Sequence, residues 1–322
     1  MRVSVIVPAY NAAATLEQCL VALCAQDFPR DEFEIIVVDD GSTDATAEIV
    51  ARFPSARLIC GEHRGAAAAR NRGAREAHGD LLLFTDADCE PTQHWIETLC
   101  AAFADAHVVG AKGTYRTRQR ELVARFVQLE YEEKYARMRR ARTIDFIDTY
   151  SAAYRRDIFL ANGGFDESFP SASVEDQEFS FRLAEQGHTM VFAPDAVVYH
   201  RHVTTLEAYA RRKFRIGYWK VRVHRRHPGK LLQDTHTPPT LKIQMGLFLA
   251  MVAAVVAALL APAMWVLADA LEIAFFVSAI PLIVFIARRN APVAVVAPLL
   301  ILLRAAALGM GWMAGSLLWL QK

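Results

Sequence analysis

The fold is decided by residues 37–44, which read VVDDGSTD, an apolar run that ends abruptly in carboxylates. A second run of this kind, residues 83–88 with the sequence LFTDAD, follows about one strand–helix–strand unit later. In an open α/β sheet, ligands bind in the crevice outside the carboxyl ends of the strands. Carboxylates at that edge repel a bare phosphate, but they can hold a divalent cation that in turn holds a diphosphate.

Residues 1–113 alternate between short apolar runs and segments with helical periodicity. The runs predict strands at residues 3–7, 34–38, 57–60, 80–85 and 108–113, and the periodic segments predict helices at residues 12–25, 45–53 and 65–77. Short strands that alternate with helices predict a parallel, doubly wound sheet.

Residues 114–242 are less regular. They predict helices at residues 121–142, 175–186 and 206–227, strands at residues 146–154 and 196–199, and a turn at residues 163–166. The last helix mixes Arg and Lys with Tyr209, Phe214, Tyr218 and Trp219. That mixture is typical of a helix on anionic lipid headgroups, and a solvated basic face is the alternative.

Residues 243–320 are apolar enough to predict three membrane spans, at residues 243–268, 271–287 and 292–320, with Pro262 as a kink in the first. By the positive-inside rule, Arg288 and Arg289 predict that the loop between the second and third spans is cytoplasmic. The basic stretch before residue 243 is predicted to be cytoplasmic by the same rule, and the two spans between these points agree with that. Arg304 within the third span faces a neighbouring helix, snorkels, or marks a break between two half-spans. A soluble helical hairpin is the alternative, which the scarcity of charge disfavours.

Composition excludes some functions. The 322 residues carry 36 basic and 35 acidic side chains, and a formal charge of +1 argues against a nucleic-acid partner. The five cysteines are odd in number and lack metal-site spacing, so we expect reduced thiols in the cytosol. A strand begins almost at once without a signal peptide, so we expect a multi-pass protein of the cytoplasmic (inner) membrane with its catalytic half in the cytosol.

Two carboxylates at the second strand end are the best metal candidates. If the strand continues through them, Asp86 and Asp88 point to one face and form part of a Mg²⁺ or Mn²⁺ site, completed by water and substrate phosphates. A solvated acidic turn is the alternative. At the first strand end, Asp39 and Asp40 either accept hydrogen bonds from a nucleoside or stabilise the turn at Gly41, and both roles can hold, one for each Asp.

Three further positions are candidates with structural alternatives. Arg70 lies near a Gly-rich helix start, where phosphate can bind. Asp176 fits a capping box with Ser173, or it is a general base kept ionised by the helix dipole. His200, like His202, follows an apolar strand and is either a metal or diphosphate ligand or a structural His.

Taken together, the motifs resemble the family 2 glycosyltransferases of GT-A fold over roughly residues 3–202. The matching segments, in the order of the family, are VIVPAYN at residues 5–11, DDGSTD at residues 39–44, ARNRG at residues 69–73, DAD at residues 86–88, GGFD at residues 163–166 and ED at residues 175–176. Six ordered motifs are far more specific than any one of them. The fold class implied is α/β, a Rossmann-like catalytic domain with a mixed, mainly parallel sheet, followed by an α-helical transmembrane region.

The resemblance also implies roles. Pro8, Tyr10, Asn11, Asp39 and Asp40 would line the nucleoside pocket, with Arg70 near the nucleotide. Asp86 and Asp88 would bind the diphosphate of a nucleotide-sugar through Mn²⁺ or Mg²⁺, with His200 as a further metal ligand. Asp176, beside Glu175, would deprotonate the acceptor hydroxyl for a single displacement with inversion.

The acceptor and the domain division can be stated as expectations. The Gln-x-x-Arg-Trp motif of processive synthases is absent from residues 212–216, which favours transfer of one sugar to a membrane-held acceptor, a lipid-linked glycan or a polyprenyl lipid. A polyprenyl phosphate is already ionised, so a true base at Asp176 favours a hydroxyl acceptor. We expect a catalytic domain at 1–202, a basic membrane-interface segment at 203–242 and a transmembrane region at 243–322.

Two other functions are alternatives to this enzyme. A sugar nucleotidylyltransferase would carry a Gly-rich, Arg-containing loop after the first strand, where this chain has Pro8 and Tyr10. A non-catalytic membrane scaffold with a degenerate transferase domain would have lost carboxylates among Asp40, Asp86, Asp88 and Asp176, and all four are present. The enzyme is therefore the favoured interpretation.

Overall fold

The computed structural model describes residues 1–169, 174–231 and 234–320, so Ser173 and its capping box lie outside the described residues. The chain forms two compact units. The first comprises Met1–Arg118 and Arg137–Arg201, and the second comprises Gln119–Ala136 and His202–Lys322.

The first unit contains one mixed sheet of eight strands. Its strands, in chain order, are β1 Val3–Ala9, β2 Phe33–Asp39, β3 Ala56–Cys60, β4 Leu81–Phe84, β5 Cys89–Pro91, β6 Val108–Arg116, β7 Ala152–Arg155 and β8 Thr189–His200. They lie in the order β3-β2-β1-β4-β7-β6-β8-β5. β1 pairs in parallel with β2 and β4, β2 with β3, and β6 with β8. β7 is antiparallel to β4 and β6, and β5 is antiparallel to β8, so the sheet is mixed and not wholly parallel.

The described helices are α1 Leu16–Cys24, α2 Thr46–Ala51, α3 Ala66–Glu76, α4 Trp95–Ala101, α5 Leu122–Met138, α6 Arg156–Ala161, α7 Glu175–Glu185, α8 Leu206–Arg226, α9 Pro239–Ala258, α10 Met264–Ala287 and α11 Ala291–Leu320. α1 shows why the pattern predicts them, because its apolar side chains recur at helical spacing and are buried. The central strands are buried along most of their length, as expected for a sheet covered on both faces.

Some predicted elements were wrong. The strand predicted at residues 146–154 is only Ala152–Arg155, because Thr149–Ser151 forms a 3₁₀ turn before it. The pattern missed β5, α4 and α6, whose short lengths leave little periodicity to detect. β4 ends at Phe84, so Asp86 and Asp88 lie in a turn and not on one face of a continued strand.

Three helices of the second unit, α9, α10 and α11, are long and apolar enough to cross a membrane. The first predicted span was wrong at its end, because α9 stops at Ala258 and Pro262 lies in the turn before α10. Leu259 and Leu260 at this turn are 76% and 92% exposed, so the turn presents an apolar tip.

Arg304 faces neighbouring helices from within a continuous α11. Its Nη1 donates to Glu130 Oε1 on α5 at 2.8 Å, and its Nη2 donates to Gln244 Oε1 on α9 at 2.7 Å. Glu130 Oε2 also accepts from Tyr209 and pairs with Lys213, both at 3.1 Å. Of the three possibilities for Arg304, contact with a neighbouring helix is therefore confirmed, and the half-span break is excluded.

Glycines bring α8 and α11 into close contact. A side chain at Gly311 would collide with the carbonyl of Phe214, and one at Gly217 would collide with the carbonyl of Leu308. A Cβ on Gly315 would lie 2.6 Å from the carbonyl oxygen of Tyr218. Gly311 and Gly315 are four residues apart on α11, and this GxxxG spacing lets the backbone of α11 approach that of the basic helix α8.

Candidate active site

The carboxyl ends of β2, β1 and β4 lie side by side, because these strands are parallel neighbours. Asp39 and Asp40 follow at the end of β2, and both are buried. Asp39 Oδ1 accepts from the Ser42 backbone N–H at 2.9 Å, which is the turn-stabilising role considered from the sequence. Asp40 accepts from the backbone N–H groups of Arg64 and Gly65, both at 2.8 Å, and therefore fixes the loop that leads into α3.

The end of β1 lies against this turn. Pro8 pairs in register with Val38 and is half-buried. Asn11 has a positive φ of 49° and accepts from the Thr43 backbone N–H at 2.8 Å. Tyr10 is 48% exposed, and its ring stacks on His63 with 4.0 Å between ring centroids. The structure therefore brings together all five predicted nucleoside residues, and their roles stay predictions.

His63 was missed from the sequence. Its Nδ1 lies 2.9 Å from Asp40 Oδ2, and its ring and that of Tyr10 form an exposed aromatic surface beside the turn. His63 lies 23 residues after Asp40 outside any regular element, so no periodic signal could have found it.

Arg70 on α3 connects two other candidate carboxylates. Its Nη2 donates to Asp86 Oδ1 at 2.7 Å, and its Nη1 donates to Glu175 Oε1 at 3.0 Å. Arg70 and Glu175 are each 3% exposed, whereas the side chain of Asp86 is 28% exposed. Predicted nucleotide, metal and catalytic residues are thus joined by one guanidinium group.

Asp88 and His200 lie together because β5 pairs with β8. Cys89 is in register with His200, and His200 Nε2 lies 3.2 Å from Asp88 Oδ2. The ligand atoms of Asp88, Cys89 and His200 are all within 4.8 Å of one another. Burial and then the nearby Asp86 and Asp88 raise the pKa of Cys89 well above its ordinary value, so its thiol is neutral. The Asp88 carboxylate is a donor that suits Mn²⁺ or Mg²⁺, and an imidazole such as that of His200 is a ligand of transition metals, so this donor set fits a divalent ion such as Mn²⁺.

Asp176 lies in the first turn of α7 and is half-buried. Burial and then the adjacent Glu175 raise its pKa to about 7, although Arg70 and Lys112 oppose the rise. The helix dipole alone would have kept the carboxylate ionised, so its surroundings outweigh that contribution. A carboxylate with a pKa near neutrality can accept a proton from a hydroxyl group and later release it.

His202, the second candidate after the apolar strand, has a different partner from His200. His202 belongs to the second unit, is 3% exposed, and its Nε2 lies 3.0 Å from Gln128 Oε1. Its surroundings fit the structural alternative.

Lys112 on β6 is a further residue that the sequence did not indicate. It is 1% exposed, donates to Tyr150 Oη at 3.0 Å and pairs with Asp148. Burial holds the pKa of Lys112 well below its ordinary value. In the sequence, Lys112 appears only as a charged residue that interrupts the apolar run of a strand, and nothing else there indicates a role for it.

The sequence was compared with family profiles and with known proteins, and both comparisons find glycosyltransferases. The profile of "Glycosyl transferase family 2" matches residues 4–161. Glycosyltransferase AglE of Haloferax volcanii is 30% identical over 232 residues, which cover 69% of this chain and 73% of AglE. The chain belongs to the family 2 glycosyltransferases. It is a glycosyltransferase, and the resemblance noted in the sequence is confirmed.

A second relative is covered less completely. The probable glycosyltransferase YdaM of Bacillus subtilis is 28% identical over 230 residues, 66% of this chain and 54% of YdaM, so the chain spans about half of that relative. Among solved structures, the mannosyltransferase PcManGT from Pyrobaculum calidifontis, in complex with GDP-Man and Mn²⁺, superposes with a TM-score of 0.62 at 23% identity. The match covers 100% of this chain and 88% of PcManGT. This likeness supports the GT-A fold expected for the first unit.

Proposed function

We propose that this family 2 glycosyltransferase transfers a single sugar from a nucleoside-diphosphate sugar to a membrane-associated acceptor, with inversion and with a divalent cation. One observation carries the proposal: the guanidinium group of Arg70 donates both to Asp86, a candidate metal ligand, and to Glu175, the residue next to Asp176. A donor diphosphate and an attacking hydroxyl need those two kinds of carboxylate at adjacent positions.

The donor would bind at the ends of β1, β2 and β4. The exposed ring of Tyr10 offers a stacking surface for the nucleobase, with Pro8, Asn11, Asp39 and Asp40 shaping the pocket around it. PcManGT, which shares the fold, holds GDP-Man and Mn²⁺. Asp86, Asp88 and His200 would hold Mn²⁺ or Mg²⁺, which neutralises the charge of the departing nucleoside diphosphate when bound.

Asp176 would act on the acceptor. Its carboxylate takes the proton of an acceptor hydroxyl as the oxygen forms its bond to the anomeric carbon, while the bond from that carbon to the diphosphate oxygen breaks. Attack on the face opposite the leaving group inverts the anomeric configuration. A hydroxyl of a lipid-linked glycan requires this proton transfer, so we favour it over a polyprenyl phosphate.

The acceptor is proposed to be membrane-held because α9, α10 and α11 are long and apolar enough to span a bilayer. We place the protein in the cytoplasmic (inner) membrane as a multi-pass protein with its active site in the cytosol. Residues 1–202 would act as the catalytic domain and residues 243–322 as the transmembrane region. Residues 203–242 would meet the headgroups, where exposed Arg211, Arg215, Arg225 and Arg226 on α8 suit anionic lipids.

The test is release of nucleoside diphosphate by membranes that contain the protein. UDP-, GDP- and dTDP-sugars are each offered with Mn²⁺, with Mg²⁺ and with a chelator, beside the Asp88→Ala variant. We expect one donor to turn over in a metal-dependent way and Asp88→Ala to lose that turnover. Absence of both turnover and donor binding for every nucleotide sugar, with lipid extract added, would contradict the proposal and favour a non-catalytic scaffold.

A further inference from the structure

The side chain of Arg70 is buried and already paired, whereas a phosphate-binding arginine would have free N–H groups facing the ligand. It is 3% exposed, and both terminal nitrogens already donate to carboxylates, at 2.7 Å to Asp86 and at 3.0 Å to Glu175. Its Nε is also buried and has no hydrogen-bond partner among the described residues. A planar guanidinium holds two carboxylates in a fixed geometry, which a freely rotating ammonium cannot do.

The neighbouring residue of α3 makes a second connection. Asn71 receives the backbone N–H of Phe165 on its Oδ1 at 2.9 Å and donates from its Nδ2 to the Phe165 carbonyl at 2.8 Å. Gly164 has a φ of +66°, and a side chain there would collide with the amide of Asn71. Two consecutive residues of one helix therefore fix the end of β4, the start of α7 and the turn at residues 163–166.

We propose that Arg70 is a positioning residue that sets the distance and the charge balance between the metal carboxylate Asp86 and the α7 start that carries Asp176, and that it does not bind the nucleotide. The inference rests on the proposed function, because it assigns Asp86 to the cation and Asp176 to the acceptor. Asn71 supports the same geometry by holding the turn at residues 163–166. Residues 70 and 71 would thus connect the segment at residues 86–88, the turn at residues 163–166 and the start of α7.

The charges around Asp176 give this role a distinct signature. The charged groups that act on it are Glu175 on its own helix, Arg70 on α3 and Lys112 on β6. Loss of the Arg70 cation destabilises ionised Asp176, whereas loss of the Glu175 anion stabilises it. Replacing Arg70 by a neutral residue should therefore move the acid limb of the pH profile up, and replacing Glu175 by a neutral residue should move it down.

The experiment compares Arg70→Gln, Arg70→Lys and Glu175→Gln in the full-length membrane protein. Arg75→Gln is the matched control, because Arg75 is exposed near the end of the same helix. Three quantities are measured for each variant: the Kd of UDP or GDP alone, whichever matches the active donor, the kcat, and the pH of the acid limb of kcat/KM.

We expect Arg70→Gln to keep the nucleotide Kd within about threefold, to lose about 100-fold in kcat and to move the acid limb up by about one pH unit. Arg70→Lys should lower kcat with little movement of the acid limb, because lysine keeps the positive charge but cannot donate to both carboxylates in the fixed geometry of a guanidinium group. Glu175→Gln should move the limb down. Arg75→Gln should match the wild type.

A rise in nucleotide Kd of more than about tenfold in Arg70→Gln, with the acid limb unmoved, would overturn the inference and make Arg70 a nucleotide ligand. If the Arg70 variants do not fold, Glu175→Gln decides: a loss of kcat with an unchanged nucleotide Kd supports the bridge, and an unchanged kcat refutes it. Failure of the proposed function itself would be distinct, because the wild type would then turn over no donor.

Discussion

The acid limb of the pH–rate profile follows directly from the surroundings of Asp176. Its ordinary pKa is 3.8, and burial and the adjacent Glu175 raise it to about 7. A general base must be ionised, so activity is lost as pH falls through the pKa of the folded protein. About nine tenths of Asp176 is ionised at about pH 8 and about one eleventh at about pH 6, so kcat/KM should fall roughly tenfold across that interval.

The assay is release of nucleoside diphosphate at subsaturating donor and acceptor, with enzyme stability checked at each pH. Asp176→Asn removes the base and should lower kcat by about 10² to 10⁴-fold. Asp157→Asn is the matched control, since Asp157 Oδ1 accepts from the next backbone N–H at 2.8 Å as Asp176 Oδ1 does at 2.7 Å, but in an exposed first turn. A wild-type profile that is flat from about pH 5.5 to about pH 8 would refute the reasoning, since it would mean an ordinary carboxylate or no base at all.

Three further predictions concern the metal and the second unit. His200→Ala should raise the Mn²⁺ concentration for half-maximal activity by about 10-fold while maximal rate recovers with excess metal, and an unchanged requirement would remove His200 from the site. Arg304→Met leaves Glu130 buried with one cation fewer and should destabilise the protein by about 3 kcal/mol in detergent, measured by thermal unfolding, whereas Arg304→Met with Glu130→Gln should recover part of the loss. Gly311→Val should separate α11 from α8 and lower the Tm, whereas Gly246→Val, which meets no neighbour within 4 Å, should change it little; equal Tm values would deny the close contact.

The sequence indicated the strand ends correctly because its signal there is chemical. VVDDGSTD and LFTDAD place carboxylates after buried strands, and the structure brings both beside β1. The antiparallel pairings of β7 and β5 could not be read in the same way, because a short apolar run gives no information on strand direction. For the same reason the sequence could name His200 without showing that β5 sets Asp88 beside it.

Long-range ion pairs were the least predictable part of the site. Arg70 and Glu175 are 105 residues apart, and the sequence placed one with the nucleotide and the other with the base. Only their burial and their distance show that they share a hydrogen bond. Arg304 is a similar case, because an arginine in an apolar segment predicts a partner but does not say that Glu130, 174 residues earlier, is that partner.

The most direct test of the central claim follows the sugar itself. Membranes that contain the protein are given the active donor labelled in its sugar, with Mn²⁺, and the label in the lipid extract is compared with the nucleoside diphosphate released. The account predicts equal amounts of both in the wild type and the loss of both in Asp176→Asn. Nucleoside diphosphate released while the label stays in the aqueous phase as free sugar would contradict transfer to a membrane-held acceptor.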